Sequence, residues 1–324
     1  NKQHWHNLHM IIKKLICRKS PVYLPFDKGR FRLSMGIVSL ILDKWLEPDD
    51  YYFKELLEKE TLLTHRKTDV FQSMPGSQLA QQEVLNLVIA HMSTLHSDLV
   101  RADGDRIFID GIRRSFLKKD FGEKPLDLAG RIVQEDLCIM APGSAGYTLE
   151  AASLCFPSRW RLIDKIGKRM VDIHSPVPDY QNKLARPVDR FFEKLDANKP
   201  VWRVNWSLTD DPDLYQPIRK TNTNYSQKIN SENVGDLIFL RCERQTLRRL
   251  PNTGWILFTI KTYIDKVSAL VSQSESLADL AHSIRDMSID MQGYKNIAPY
   301  RKQLLEYLDR THRKCLGIVD KNHP

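Results

Sequence analysis

The sequence predicts an α+β protein: an antiparallel β-sheet flanked by helices. Three observations lead there. Apolar residues recur at helical spacing before and after the middle of the chain. The middle holds short strand-like runs separated by turn residues. Two longer β-type runs, "GDLIFLRCERQTLRRL" (235–250) and "GWILFTIKTY" (254–263), flank Pro251–Thr253 as the arms of a hairpin. Strands gathered in a block, rather than alternating with helices, argue against a doubly wound parallel sheet.

Residues 1–50 are mixed. "HMIIKKLICRKS" (9–20) alternates apolar and basic residues, a pattern that suits a membrane surface or a solvated terminus, and "MGIVSLIL" (35–42) is too short to span a bilayer. "YYFKELLEKETLLTH" (51–65) predicts a helix. Pro75 and Gly76, within 65–80, mark the best place for a boundary, and Gly76 and Ser77 introduce a second helix. Its expected apolar face carries Leu79, Val84, Leu87, Val88, Met92, Leu95 and Leu99. His91 and His96, five apart, are poorly spaced to share a metal and read as ordinary helix residues.

Strands follow at 106–110, 137–140 and 147–156, the last two separated by "PGSAG" (142–146). "SRWRLIDKIGKRM" (158–170) predicts a helix ending near Gly167. "RPVDRFFEKLD" (186–196) predicts another, with Pro187 in its first turn. "VWRVNWSL" (201–208) alternates as a strand, giving five or six mostly antiparallel strands. Beyond about 264 the chain turns helical. Leu277, Leu280, Ala281, Ile284 and Met287 share one face, and "APYRKQLLEYLDR" supplies a last helix. The expected organisation is an extension over 1–50, one domain over 51–312 with its sheet core at about 104–263 and helices at 264–312, and a tail over 313–324.

Net charge is +9, which favours anionic partners such as acidic proteins or lipid. The aromatics, however, sit inside apolar strands instead of interleaving with a basic stripe, so no nucleic-acid partner is expected. The five cysteines lie far apart with no CxxC pair. That predicts free thiols, an intracellular reducing compartment, and neither zinc nor iron–sulfur centres within this chain. HExxH, GxGxxG and P-loop motifs are absent. No signal-peptide pattern is present. The chain opens on Asn1, so membrane association through a preceding or basic N-terminal segment stays open.

The candidate site residues come from two stretches. In "VDIHSPVPDY" (171–180), Pro176 and Pro178 fix their own φ and push the preceding residues toward extended geometry. His174 would then begin a rigid extended rod over 174–178. Such a rod suits an imidazole that must hold one angle, as a heme axial ligand must; the other reading is a histidine that hydrogen-bonds locally. In the hairpin, alternation puts Arg241, Glu243 and Gln245 on one face and Cys242, Arg244 and Thr246 on the other. Arg241, Arg244, Arg248 and Arg249 are candidates for gripping propionates, and Glu243 for orienting an arginine or pairing with an amine. The alternative is an exposed strand of alternating charge. Trp202, Arg203, Asn205 and Trp206 either wall a flat cofactor or form core and cap.

Taken together and in this order, "GYTLEAASLCFPSRWRLIDKIGK", "IHSPVPDY", "VWRVNWSL" and "ERQTLRRLPNTGWILFTIKTY" resemble the heme-dependent oxidative N-demethylase, alpha-subunit-like family, in a fungal-type member. The resemblance covers about 50–312. It implies a PAS-like fold binding heme b through a histidine, and O2-dependent removal of a methyl group from a small secondary amine such as dimethylamine, releasing formaldehyde. It also implies electrons that come ultimately from NADPH through a partner reductase carrying flavin and iron–sulfur centres. Carried onto this sequence, it marks His174 as axial ligand and Glu243 and Arg244 as catalytic candidates. Arg203, Trp206, Arg241, Arg244 and Arg249 become cofactor-binding candidates. A heme sensor or carrier, or a PAS-like module without catalysis, is the alternative.

Overall fold

Seven strands pair antiparallel in one sheet in the computed structural model, which describes residues 18–26, 31, 33–218 and 228–318. In chain order they are β1 (Val38–Ser39), β2 (Phe71–Ser73), β6 (Asp136–Gly143), β7 (Gly146–Ser153), β8 (Val201–Thr209), β9 (Phe239–Arg249) and β10 (Ile256–Lys266). Their spatial order is β1-β8-β9-β10-β6-β7-β2. The expected hairpin is the spine: β9 and β10 pair without a break from Arg249↔Ile256 to Phe239↔Lys266. Its turn closes at Gly254, whose φ of +71° only glycine adopts freely.

The run at 106–110 belongs elsewhere. It forms β4 (Arg106–Ile109), central in a separate three-stranded sheet with β3 (Arg101–Asp103) and β5 (Arg114–Leu117). Its neighbours are the two segments next to it in sequence, joined through a tight turn at Gly104 (φ +54°). That pairing needs no loop long enough to reach the main sheet. Residues 65–80 carry β2, an edge strand paired with β7, and 38–39 carry β1, the opposite edge.

The helices are α1 (Tyr52–His65), α2 (Lys67–Val70), α3 (Gln78–Leu95), α4 (Pro125–Arg131), α5 (Met170–Ile173), α6 (Tyr180–Lys183) and α7 (Ala185–Lys194), followed by α8 (Val234–Leu237), α9 (Glu275–Asp286), α10 (Ile289–Tyr294) and α11 (Arg301–Cys315). On one face of the sheet lie two apolar cores. The first joins Leu137, Ile139 and Leu257 to Leu56, Leu63, Val84, Val88 and Met92 of α1 and α3. The second joins Trp206, Leu208, Leu240, Cys242 and Tyr263 to α9 and α11. The expected stripe on α9, Leu277 to Met287, is buried throughout. Each such side chain contributes about 1.5–3 kcal/mol, which outweighs the weak intrinsic preference of a short helix. On α3 the stripe is rotated from the expected one: Leu79 is 77% exposed and Leu95 44%, while Ala80 and Leu85 are buried. The i, i+4 rows through 80–84–88–92 and 81–85 face the sheet instead.

Between the two cores the same face carries buried charge. Arg244 donates to the carbonyls of Trp45 (2.9 Å) and Lys44 (2.6 Å) and pairs with Glu47 at 3.1 Å. Lys261 donates to the Glu47 carbonyl, to Gln134 Oε1 (3.0 Å), and pairs with Asp49 at 3.2 Å. The hydroxyls of Tyr23 and Tyr263 both donate to Glu47. These bonds seat residues 44–49 across the sheet, with their charges matched. Of the basic stretch 9–20, residues 9–17 lie outside the described residues; Arg18 pairs with Asp49 at 2.7 Å. Among the described residues no helix is long and apolar enough to cross a membrane.

The opposite face is covered by residues 158–195, and here two expectations fail. Within 158–169 only Leu162–Asp164 is helical, as a single 3₁₀ turn, and Met170 opens α5. Arg159 and Gly167 take left-handed φ of 63° and 71°, and the backbone bonds outward: Gly167 N to Leu149 O (2.7 Å) and Leu149 N to Lys168 O (3.0 Å). The chain thus runs beside β7. Residues 174–178 are a series of turns and not an extended rod. His174 ends α5 at φ −95°, ψ 7°, and its carbonyl accepts from Val177 N at 2.9 Å. A proline restricts the residue directly before it, here Ser175 and Val177; His174 precedes neither proline and is free to turn.

Candidate functional site

Between that face and the 158–195 covering lies a cavity of about 1270 Å³. Its floor is set by strand parity. Arg203 and Asn205 of β8 lie opposite Gln245 and Glu243 of β9, and Glu243 lies opposite Thr262 of β10. Phe258, Ile260, Met140 and Leu149 continue the floor as an apolar half. The cavity also reaches round β8 to Tyr294 and Lys295. It can do so because β1 pairs with only Val201 and Trp202 of β8.

His174 lines this cavity. Its Nδ1 lies 2.9 Å from the Met170 carbonyl, one turn back on α5, and its ring stacks on Tyr180 with centroids 4.7 Å apart and planes at 12°. A carbonyl only accepts, so Nδ1 carries the proton and Nε2 keeps its lone pair. Burial holds the imidazole below its ordinary pKa; the Met170 carbonyl opposes this, while Lys165 and Arg203 reinforce it. The group is therefore a neutral imidazole with one nitrogen anchored and the other available, the state a metal ligand needs. Lys165 is itself tied back, donating to the Ile173 carbonyl at 2.7 Å.

Glu243 lines the cavity but is engaged on all sides. Arg241 Nε approaches it at 3.5 Å, and Gln245 and Asn205 donate to its Oε2 at 3.2 and 3.5 Å. Arg241 is fixed in turn by the carbonyls of Phe156 (2.7 Å) and Leu214 (3.3 Å). Arg203 differs in that none of its nitrogens, the buried Nε included, makes a hydrogen bond or close ion pair among the described residues, and burial lowers its pKa against the attraction of Glu243. Lys295, which sequence reasoning missed, is 6% exposed. Its ammonium donates to the Trp206 carbonyl (2.5 Å) and weakly to Asn205 Oδ1 (3.4 Å), and burial pulls its pKa down to about 8, with Arg203 adding to the effect. No periodicity marks Lys295. It stands just after the short helix α10, carried into place by a turn in which Asn296 adopts φ 60°.

Of the remaining candidates, Arg244, Arg248 and Arg249 do not line the cavity, and Trp206 borders it from the reverse-face core. Arg244 is on the reverse face, bound to residues 44–47, so it cannot share a pocket with Glu243; adjacent strand residues point oppositely. Arg249 clasps the end of α7, donating to the carbonyls of Leu195, Phe192 and Gly254. The Arg248 guanidinium sits 4.8 Å above the Trp45 ring. The Trp206 ring packs edge-on against Phe26 (5.2 Å, 89°) in the reverse-face core, with Lys295 over it at 4.8 Å, so it is not a wall beside Glu243. Arg244, Arg248 and Trp206 belong by strand parity to the reverse layer, whereas Arg249 shares the parity of Glu243 and is consumed by carbonyls at the end of α7.

His91 and His96 lie 5.7 Å apart by centroid on α3, away from the cavity, and Nε2 of each is buried without a partner. Among the described residues no three or more His, Cys, Asp or Glu side chains converge as a metal cluster. The four described cysteines are free, and Cys138, Cys155 and Cys242 are buried, with their thiols pushed up by desolvation. A single imidazole can serve a metal brought in by a macrocycle, which supplies the other ligands itself.

A sequence model of the family "Haem-dependent oxidative N-demethylase, alpha subunit-like" matches residues 36–305, a span that contains all seven strands of the main sheet, His174, Glu243 and Lys295. The chain therefore belongs to the heme-dependent oxidative N-demethylase, alpha subunit-like family.

Proposed function

We propose that this chain binds heme b in the cavity, in a PAS-like arrangement of sheet and helices, and carries out oxidative N-demethylation of a small methylated amine with release of formaldehyde. His174 carries the reading: a neutral imidazole in the cavity wall, oriented through Nδ1 and stacked on Tyr180, with Nε2 unclaimed. Bound there, the heme would supply the redox chemistry with O2, drawing electrons through a partner carrying flavin and iron–sulfur centres and ultimately from NADPH. The chain's own residues do the rest. Met170 and Tyr180 fix the ligand's angle. Phe258, Ile260, Met140 and Leu149 provide an apolar surface that excludes water from a flat group. Arg203 offers a cation whose buried Nε is not hydrogen-bonded. Glu243, held by Arg241, puts a carboxylate in the cavity lining as the candidate proton carrier.

The test is direct. The full chain is loaded with heme, its oxidised, reduced and CO-bound spectra are recorded, and formaldehyde is measured from a panel of methylamines in the presence of a reductase system. A Soret band with formaldehyde release is expected. Heme binding with no product from any amine would move the protein to the sensor or carrier reading, and absence of heme binding would end both.

A further inference from the structure

The polar end of the cavity has more positive charge than its own acid can match. Glu243 attracts Arg203 and Lys295 through space, but its close contacts are all with Arg241, Asn205 and Gln245. Lys295 finds only neutral acceptors, the Trp206 carbonyl and Asn205 Oδ1. Arg203 has no partner at its buried Nε. Both cations border the same cavity and lie close enough that Arg203 disfavours the charge on Lys295. Leaving a buried guanidinium nitrogen unbonded is costly, and a planar fork beside an ammonium is the usual receptor for a carboxylate. A bare dialkylamine, cationic at neutral pH, would meet repulsion here.

We infer that Arg203 and Lys295 together bind a carboxylate, and that the methylated amine this cavity takes is an N-methylated amino acid. The amine half of this statement rests on the N-demethylation reading; the carboxylate half rests on the charges alone. The same chemistry is carried by a porphyrin propionate, so the test separates a free acid from the prosthetic group.

Calorimetry with N,N-dimethylglycine, acetate and dimethylammonium as probes is run on the full chain, heme-free and heme-loaded, for the unsubstituted protein and for Arg203→Gln, Arg203→Lys and Lys295→Met. Heme stoichiometry and melting temperature are read in parallel. The expected result is N,N-dimethylglycine binding to the heme-loaded protein at least tenfold more tightly than dimethylammonium. Arg203→Gln and Lys295→Met should each lose about tenfold or more with heme stoichiometry unchanged, and Arg203→Lys, which keeps the charge but not the planar fork, should lose less than Arg203→Gln. Affinity should also fall as pH rises through about 8, where Lys295, facing Arg203, Glu243 and Cys242, gives up its proton. If the substitutions shed heme and leave acid binding untouched, the carboxylate is a propionate and the amino-acid substrate is overturned. If they change neither, the carboxylate site itself is overturned. Should Lys295→Met fail to fold, Arg203→Gln against Arg203→Lys decides alone. Because acetate and N,N-dimethylglycine binding are also read on heme-free protein, failure of the heme reading is recognised separately.

Discussion

Substituting His174 by alanine removes one hydrogen bond and one ring stack. The bond to the Met170 carbonyl, 2.9 Å long, contributes about 1 kcal/mol. The stack on Tyr180 contributes roughly 0.5–1.5 kcal/mol. Because the ring borders an existing cavity, little new void is created, so the heme-free protein loses about 1.5–2.5 kcal/mol, or roughly 2–4 °C in melting temperature. Heme titration by Soret absorbance then isolates the ligand role. The variant should bind heme more weakly with a displaced band, and added imidazole should restore the band by entering the space left behind. A variant with the unsubstituted Soret position and stoichiometry would refute the assignment, whatever its stability. The pH dependence gives a second reading. The folded pKa of His174 lies below the ordinary 6.5, so the unfolded chain takes up the proton first. The contribution is present above 6.5 and is lost as pH falls through the lower, folded value; His174→Ala should abolish that part of the acid-side decline.

Arg244→Ala should cost about 3 kcal/mol in urea unfolding, the low end for a broken buried pair because Glu47 is 29% exposed, while heme bound per folded molecule stays constant. Loss of heme at unchanged stability would return Arg244 to the cofactor. Glu55 is pushed up to about 8 by burial, against 4.5 unperturbed, so the folded state holds its proton and stability falls as pH rises from 4.5 to 8. The slope is at most about 1.4 kcal/mol per pH unit. Glu55→Gln should therefore gain on the unsubstituted protein between pH 5 and pH 8; an equal difference at both pH values would contradict the burial argument. A Cβ at Gly235 would collide with the Tyr307 ring at Cζ, so Gly235→Ala should lose about 1–3 kcal/mol by overpacking, and Tyr307→Ala in the same chain should restore part of it.

The hairpin and the helices at both ends were legible because their signals are local: a period of two flanking a turn, a period near four along α9. The partners of strands were not. The 106–110 run has the right alternation for the main sheet and still pairs with its immediate neighbours. The two-residue β1 carries no pattern at all. At the site, parity correctly divided Glu243 from Arg244, yet it cannot say which face will be covered by a cavity, and the arginine on the other face was assigned alongside the glutamate. His174 does line the cavity, but proline rigidity does not set its orientation, which comes from Met170 and Tyr180. Lys295 was invisible because a turn between short helices delivers it.

Strand β9 performs two tasks with alternate residues: 241, 243 and 245 furnish the chamber, and 244 holds down the chain at 44–47. Deleting or inserting one residue at position 242 would exchange these duties beyond that point, setting Arg244 in the chamber and a carboxylate or amide against the strap. Substitution can retune either task without touching the other. A change in length at this point damages both at once, so diversity in substrate preference among homologous chains should accumulate here through side-chain replacement and not through indels.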